Sequence, residues 1–286
     1  MIYAIKRGAI VAFSIITGIF TFVPEGFFGI RKWVSDEILK LFNMSDVEAE
    51  WINITISRIL CLILVWFIVS MCIWIYRCFR KKKIIKGKNY SISIEYGDLL
   101  KEKRCKKVIN FDECYTATVG GAIGDVNPNS LCGQYLALPE NDELDVQNLI
   151  KEAEIKPAKG KSKYKQKVRY ASGTIVPNGD DLLMAFAKLD DKGKGRFFSR
   201  DEYIECLTLL WKEIENYYAE NDVCIPILGS GTTTFDSESG ASISQQDLLN
   251  IIIQSYKLSS HKIKAPHKLR IICKKNDDFS INKIDA

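Results

Sequence analysis

The chain has 286 residues, of which 47% are hydrophobic and 26% charged, a balance that excludes wholesale disorder and leaves room for one or two domains. Its formal net charge of +5 is unevenly placed: residues 1–88 carry 13 Lys/Arg against 6 Asp/Glu, and residues 89–286 carry 27 against 29. The basic excess sits beside an oily front end, and the larger C-terminal part lacks the net positive charge of a nucleic-acid binder.

Gly8–Val23 reads GAIVAFSIITGIFTFV, without a charge. With Met1–Ile5 ahead of Lys6 and Arg7, it reaches the length that spans or nearly spans a bilayer core of about 30 Å. A basic start and an apolar core also suit a signal peptide, although no Ala-x-Ala-like site follows. Next, Phe27, Ile30, Val34, Ile38, Leu41 and Phe42 recur at helical spacing, with Arg31, Lys32, Asp36, Glu37 and Lys40 elsewhere on the circle. That pattern suits a helix lying in the outer interface, or a short loop between two spans. Ser45 and Glu48 make a capping-box pair that starts a second helix ahead of Trp51.

Ile59–Tyr76 (ILCLILVWFIVSMCIWIY) is long and apolar enough to span. Arg77, Arg80, Lys81, Lys82, Lys83, Lys86 and Lys88 follow it and mark the cytoplasmic side, where Lys6 and Arg7 also place the N-terminus. The expectation for residues 1–88 is therefore a transmembrane hairpin with a basic cytoplasmic linker, multi-pass in the cell membrane, both termini cytoplasmic. Neither apolar run holds an Asp, Glu, Lys or Arg, the groups that transporters and proton relays keep at membrane depth. The hairpin reads as an anchor, and as a pore only where several copies gather.

Nine cysteines without a CxxC pair exclude a disulfide scaffold and a zinc ribbon and fit a reducing compartment. Two histidines, His261 and His267, argue against a His-rich metal site and a Ser-His-Asp triad.

Residues 89–286 alternate strand and helix signals. Tyr90–Tyr96 alternates as a strand, and Gly97-Asp98 ends it; Lys107–Phe111 is a second strand leading into the small-residue loop TATVGGAIG (Thr116–Gly124). Residues 140–169 are polar and Lys-rich, with KPAKGKSKYKQK at 156–167, and read as an excursion loop: a solvated face or a contact with anionic lipid headgroups. Tyr170–Val176, Leu182–Leu189 and Arg196–Phe198 are predicted strands. Ser199 and Glu202 open a helix to about Ala219, with Tyr203, Leu207, Leu210 and Ile214 on one face. Val223–Leu228 (VCIPIL) is a buried-type strand followed by GSGTTTF (Gly229–Phe235), then a helix over Ser242–Leu258 and a last strand, Leu269–Cys273. This order gives an α/β domain with a mixed sheet.

Two loops that follow strands carry the chemistry. The first glycines and hydroxyls of Gly229–Phe235, among them Ser230, Thr232 and Thr233, can present main-chain N–H groups to phosphates. Val119–Gly124 is a second cradle of the same kind, and each reads equally as a plain tight turn. With Asp98 closing the first strand, they suggest a nucleotide diphosphate gripped from two sides. Asp98 is then an acceptor for an adenine amino group, or an aspartate that caps its own turn.

A strand ending Gly97-Asp98-Leu99, an Asn-led loop from Asn110, the small-residue run 120–124 and Ile225-Pro-Ile-Leu-Gly-Ser-Gly231 resemble a macro domain over residues about 90–275. Two apolar stretches ahead of it, with the phrase VINFDECYTATVGGAIGD, further resemble the membrane-anchored effectors of Thoeris antiphage defence. The resemblance implies an α/β/α sandwich that binds ADP-ribose or a derivative, such as a histidine conjugate, made from NAD by a TIR-domain partner. By position it assigns Asp98 and Leu99 to the adenine. It puts Gly120, Gly121 and Ala122 on one side of the diphosphate, Gly229, Ser230, Gly231, Thr232 and Thr233 on the other, and Phe235 near the distal ribose. It implies no cofactor besides the ligand.

One departure matters. Hydrolytic macro domains read Asn-Ala-Ala-Asn where this chain reads Asn110-Phe111-Asp112-Glu113-Cys114. The second Asn, which would orient the distal ribose and its attacking water, is absent. The reading that follows is a sensor that self-associates on binding and disrupts the membrane, with Asp112, Glu113 or Cys114 facing the distal group. The alternatives are a membrane-tethered ADP-ribosyl hydrolase and a scaffold with a vestigial pocket.

Overall fold

The computed structural model describes residues 10–18, 45–197, 199–231, 233–235, 243–275 and 279–284. The chain divides into two compact units, Met1–Arg80 and Lys81–Ala286.

In the first unit, residues 10–18 are helical, and helix α1 runs over Asp46–Phe79. The expected capping box starts it: the Ser45 amide donates to Glu48 Oε2 at 2.9 Å, and the Glu48 amide donates to Ser45 Oγ at 3.4 Å. At about 1.5 Å per residue such a helix exceeds a bilayer core, and its mean hydropathy reaches 2.7 over the most apolar window. By length and composition α1 can cross a membrane. Ala12 and Phe13 share an apolar cleft with Leu62, Ile63 and Trp66. The turn of the expected hairpin and the interfacial helix over residues 27–42 lie outside the described residues. Among the described residues α1 is the one helix long and apolar enough to cross a membrane, so the second span of the expected hairpin is not shown.

The second unit is built on a sheet in the order β1-β2-β9-β7-β3-β5-β6-β8, with β4 beside β5. The strands are β1 (Lys82–Lys86), β2 (Ser91–Tyr96), β3 (Cys105–Asp112), β4 (Ile175–Asn178), β5 (Asp181–Leu189), β6 (Gly195–Phe197), β7 (Asp222–Pro226), β8 (Thr234–Phe235) and β9 (Leu269–Cys273). Strands β2, β9, β7, β3 and β5 are mutually parallel; β1, β4 and β6 pair antiparallel. The sheet is mixed, as expected.

Both faces of the parallel strands are buried, so neighbouring residues are apolar but point opposite ways. Val108, Met184 and Ile225 meet helices α4 (Arg200–Tyr217) and α5 (Gln245–Leu258). Ile109, Leu183 and Cys224 meet α2 (Leu131–Leu136) and α3 (Val146–Glu152). This is an α/β/α sandwich. The stripe expected on α4 is its buried face: Tyr203, Leu207, Leu210 and Ile214 are all buried, each worth about 1.5–3 kcal/mol of apolar transfer.

Four sequence expectations are corrected. Residues 82–86 are an edge strand and not linker, because Ile85 between the lysines is buried while Lys82 pairs with Glu95 at 3.0 Å. The excursion over 140–169 contains α3, where Asp145 accepts from the Gln147 and Asn148 amides and Val146 and Ile150 turn inward. Its charges hide that four-residue period. The strand expected over Tyr170–Val176 is displaced to Ile175–Asn178, after a turn in which the Gly173 amide bonds Ala185 O. β7 stops at Pro226, so Ile227 and Leu228 belong to the following loop.

Candidate functional site

The parallel strands end on one edge of the sheet, and a cleft of about 300 Å³ opens there. This is where open α/β sheets offer space to ligands, beyond the carboxyl ends of their strands.

The first wall follows β2. The Gly97 amide donates to Cys273 O at 3.1 Å. A Cβ on Gly97 would stand 3.3 Å from both Glu102 Oε1 and Ile272 Cγ2, so the chain turns closely against β9 here. Asp98 Oδ1 then accepts from the Leu100 amide at 3.2 Å, and Oδ2 lies 3.6 Å from Lys101 Nζ. Asp98 caps its turn, and with Gly97 and Leu99 it lines the cleft. An ion network fixes this corner: Arg270 Nη2 donates to Glu102 at 2.7 Å and Arg270 Nε to Glu95 at 3.2 Å. Burial alone would raise the Glu95 carboxyl, but the Arg270 guanidinium and the Lys82 ammonium bonded to it outweigh burial and hold the pKa at about 2.

The second wall follows β7. Ser230 folds back on Ile227 O through its amide (3.2 Å) and its hydroxyl (2.7 Å), and the Tyr203 hydroxyl donates to Leu228 O at 2.9 Å. Burial pushes the Tyr203 phenol well above its ordinary range, which keeps it a donor. Gly229 has φ +84°, and a Cβ there would stand 2.8 Å from Phe235 Cζ; glycine meets both demands. Gly231 differs: nothing lies within 4 Å of where its Cβ would stand. Gly229, Ser230, Gly231 and Thr233 all line the cleft, and Thr232 lies outside the described residues. Phe235 is not among the cleft's lining. It stacks on Phe197 (centroids 5.7 Å apart, 15° between planes) and meets Tyr203 edge-on at 5.3 Å, supporting the loop from below.

The third wall comes from Asn127, Asn129, Ser130 and Leu131, which the sequence reading left out. Asn127 Oδ1 accepts from the Asn129 amide at 2.8 Å, and Ser130 Oγ caps α2 by accepting from the Gly133 amide at 3.0 Å. A Cβ on Gly133 would stand 2.2 Å from Asn127 O, so only glycine lets the turn approach the helix this closely. The available signal was Asn-Pro-Asn-Ser, a turn followed by an N-cap. Asn110 on β3 also lines the cleft, and its carboxamide makes no hydrogen bond among the described residues. Gln245 and Lys274 complete the rim.

The remaining expected residues stand elsewhere. Asp112 Oδ1 accepts from the Cys114 and Thr116 amides at 2.8 and 3.2 Å and so closes the turn after β3. Glu113 is buried and accepts from Ser162 Oγ at 2.6 Å and the Leu189 amide at 3.1 Å. Burial and the nearby Asp112 push the Cys114 thiol up to about 11, so it stays protonated at neutral pH. None of the three lines the cleft. Nor do Gly120, Gly121 and Ala122. Their loop closes on itself: the Gly120 amide bonds Val126 O at 3.2 Å, and the Ala122 amide bonds Asp125 Oδ2 at 3.1 Å. Among the described residues no group of His, Cys, Asp and Glu has the arrangement of a metal site.

Residues 92–274 match the family model described as Thoeris protein ThsA, Macro domain. The chain belongs to the ThsA macro-domain family. A curated relative, the Thoeris protein ThsA of Bacillus amyloliquefaciens (strain Y2), is 28% identical over 269 residues, covering 88% of this chain and 86% of that protein. Among solved structures, an Oceanobacillus iheyensis macrodomain with ADP is similar over 69% of this chain and 90% of that one, at 12% identity and a TM-score of 0.44. The macrodomain of Thermus aquaticus DarG is similar over 65% and 98%, at 14% identity and a TM-score of 0.35. The cleft of this ThsA-family domain lies within the matched residues, and so do the corner at Asp98 and the loop at Gly231.

Proposed function

We propose that the cleft binds an ADP-ribose-type nucleotide and that the chain acts in Thoeris antiphage defence as a membrane-anchored effector that responds to it. The carrying observation is the cleft's polar lining within a ThsA macro domain: the open face of Gly231, the Asp98 carboxylate and the Asn110 carboxamide, which has no hydrogen-bond partner among the described residues. In this reading Asp98 accepts from the adenine amino group, and main-chain N–H groups around Gly231 receive the diphosphate. The carboxamides of Asn110, Asn127 and Asn129 hold the far ribose.

Sensing fits better than hydrolysis. The ionisable groups on the lining, Asp98 and Lys274, sit on the wall assigned to adenine, and Cys273 beside them is pushed up to about 12 by burial. Among the described residues of the lining, no general base is left for the ribose end. The signal is a diffusible ADP-ribose derivative supplied by a TIR-domain partner, and α1 together with the first apolar run anchors the chain as a hairpin with both termini cytoplasmic. Ligand acts by favouring the self-associated state of the domain, since equal affinity for both states would shift nothing. The gathered hairpins then disrupt the bilayer.

Calorimetric titration of the detergent-solubilised full chain with ADP-ribose and a histidine-bearing analogue tests this, followed by mass measurement of protein and nucleotide. The expected result is tight binding of intact ligand with a jump in particle mass. Binding of neither nucleotide overturns the reading, and released hydrolysis products move it to the hydrolase.

A further inference from the structure

Away from the cleft, three loops converge on one buried ring. The Tyr164 hydroxyl donates to Ile123 O at 2.5 Å. Gly124 (φ +87°) and Gly193 (φ +72°) press against the same ring, where a Cβ would stand 2.4 and 3.0 Å from it. The basic excursion is pinned underneath, with Ser162 Oγ bonded to the buried Glu113 and its own amide bonded to Lys167 O at 2.9 Å. The loops around residues 123, 164 and 193 therefore form one fixed surface.

What that surface shows to solvent has two parts. At the tip, Ile123 is 73% exposed, and Val119 and Val168 are also exposed. Around it, Lys161, Lys165, Lys192 and Lys194 are exposed. The ammonium groups of Lys165 and Lys167 lie 5.0 and 5.6 Å from the Tyr164 centroid. The acids nearby are mostly engaged: Asp125 holds the Ala122 amide, and Asp190 holds the Lys192 and Lys194 amides and lies 3.7 Å from Arg196. Asp191 is the exposed exception on that turn.

We propose that this three-loop patch docks on the surface of an anionic lipid bilayer, with Ile123 entering the headgroup–acyl boundary and the surrounding lysines meeting lipid phosphates. An apolar tip ringed by cations is the composition that binds such interfaces, and each lysine near an anionic surface is worth roughly fivefold in binding. Single-stranded nucleic acid fits less well, because an aliphatic tip offers no stacking platform. Membrane is also the surface closest to hand: α1, long and apolar enough to cross one, ends at Phe79, and β1 begins at Lys82. The proposal stands apart from nucleotide binding, since none of these residues lines the cleft.

Hydrogen exchange of the full chain tests it, in membranes of phosphatidylcholine alone or of phosphatidylcholine mixed with phosphatidylglycerol. Amides of residues 119–126 and 161–168 are expected to exchange at least about tenfold more slowly with the anionic lipid only. Ile123→Asp and the triple variant Lys161→Glu, Lys165→Glu, Lys167→Glu should each lose that protection while keeping wild-type nucleotide affinity. Equal exchange in both membranes overturns the proposal, and so does protection by added DNA in place of anionic lipid. Failure of the cleft reading would appear separately, in the nucleotide titration of the same proteins.

Discussion

The loops at Gly229–Gly231 and Gly120–Gly124 are alike in composition and in how they are held, yet they face different spaces. Each is seated on an aromatic ring by a glycine of positive φ: Gly229 on Phe235, Gly124 on Tyr164. Each also has one glycine with nothing within 4 Å of its missing Cβ, Gly231 in the first and Gly121 in the second. At Gly231 the open side is the cleft at the strand ends. The loop of Gly121 instead closes on Asp125 and Val126 and stands in solvent beside the basic excursion. Glycine content thus permits close approach, and the neighbouring strands decide what is approached.

The largest expected effect separates the two open glycines. Gly231→Trp should weaken ADP-ribose binding at least about a hundredfold, roughly 2.7 kcal/mol, because the indole fills the cleft. Its melting temperature should stay near wild type, since nothing lies within 4 Å of a Cβ placed at Gly231. Gly121→Trp should leave nucleotide affinity unchanged in the same calorimetric titration. Equal losses in both would erase the distinction between the loops.

The seating glycines give a middle-sized effect. Gly229→Ala and Gly124→Ala each force an L-residue into positive φ against a ring, and should each cost about 2 kcal/mol in chemical denaturation. Only Gly229→Ala should also weaken nucleotide binding. A Gly124→Ala protein with impaired nucleotide affinity would couple the two loops and contradict the account.

The smallest effect concerns the corner at Asp98. Glu95 has a folded pKa of about 2, below its unfolded value near 4.5, so its ionised form favours the fold. That contribution is complete above the unfolded pKa and is lost as pH falls through about 4.5 towards 2. Thermal midpoints measured across this window should fall more steeply for wild type than for Glu95→Gln; parallel curves would remove Glu95 from the network's role.

Much of this was legible in the sequence where a local rule coincided with a tertiary need. The caps at Ser45 and Ser199, the stripe on α4, the alternation of β2 and the apolar run of β5 all follow from local pattern, and burial reinforced the stripe and the strands. Two of the cleft's three walls were legible for the same reason, since Gly97-Asp98 directly follow β2 and Gly229–Gly231 come two residues after the buried strand β7. The third wall was not. Asn127–Leu131 reach the cleft only because Gly133 lets the turn pack against α2, a contact that composition does not express. Phe235 follows the right loop but turns beneath it, where Phe197 and Tyr203 complete an aromatic cluster. The edge strand β1 was hidden by lysines that read as linker and show their role only once Lys82 is paired with Glu95 on the next strand.

The most direct test of the central claim is photolabelling of the full chain with 8-azido-ADP-ribose, followed by mapping of the modified peptides. The account predicts labels on the Gly97–Leu99 corner, with competition by unmodified ADP-ribose and loss in Gly231→Trp. Labelling concentrated on Gly120–Gly124, or indifferent to the Gly231 variant, would contradict it.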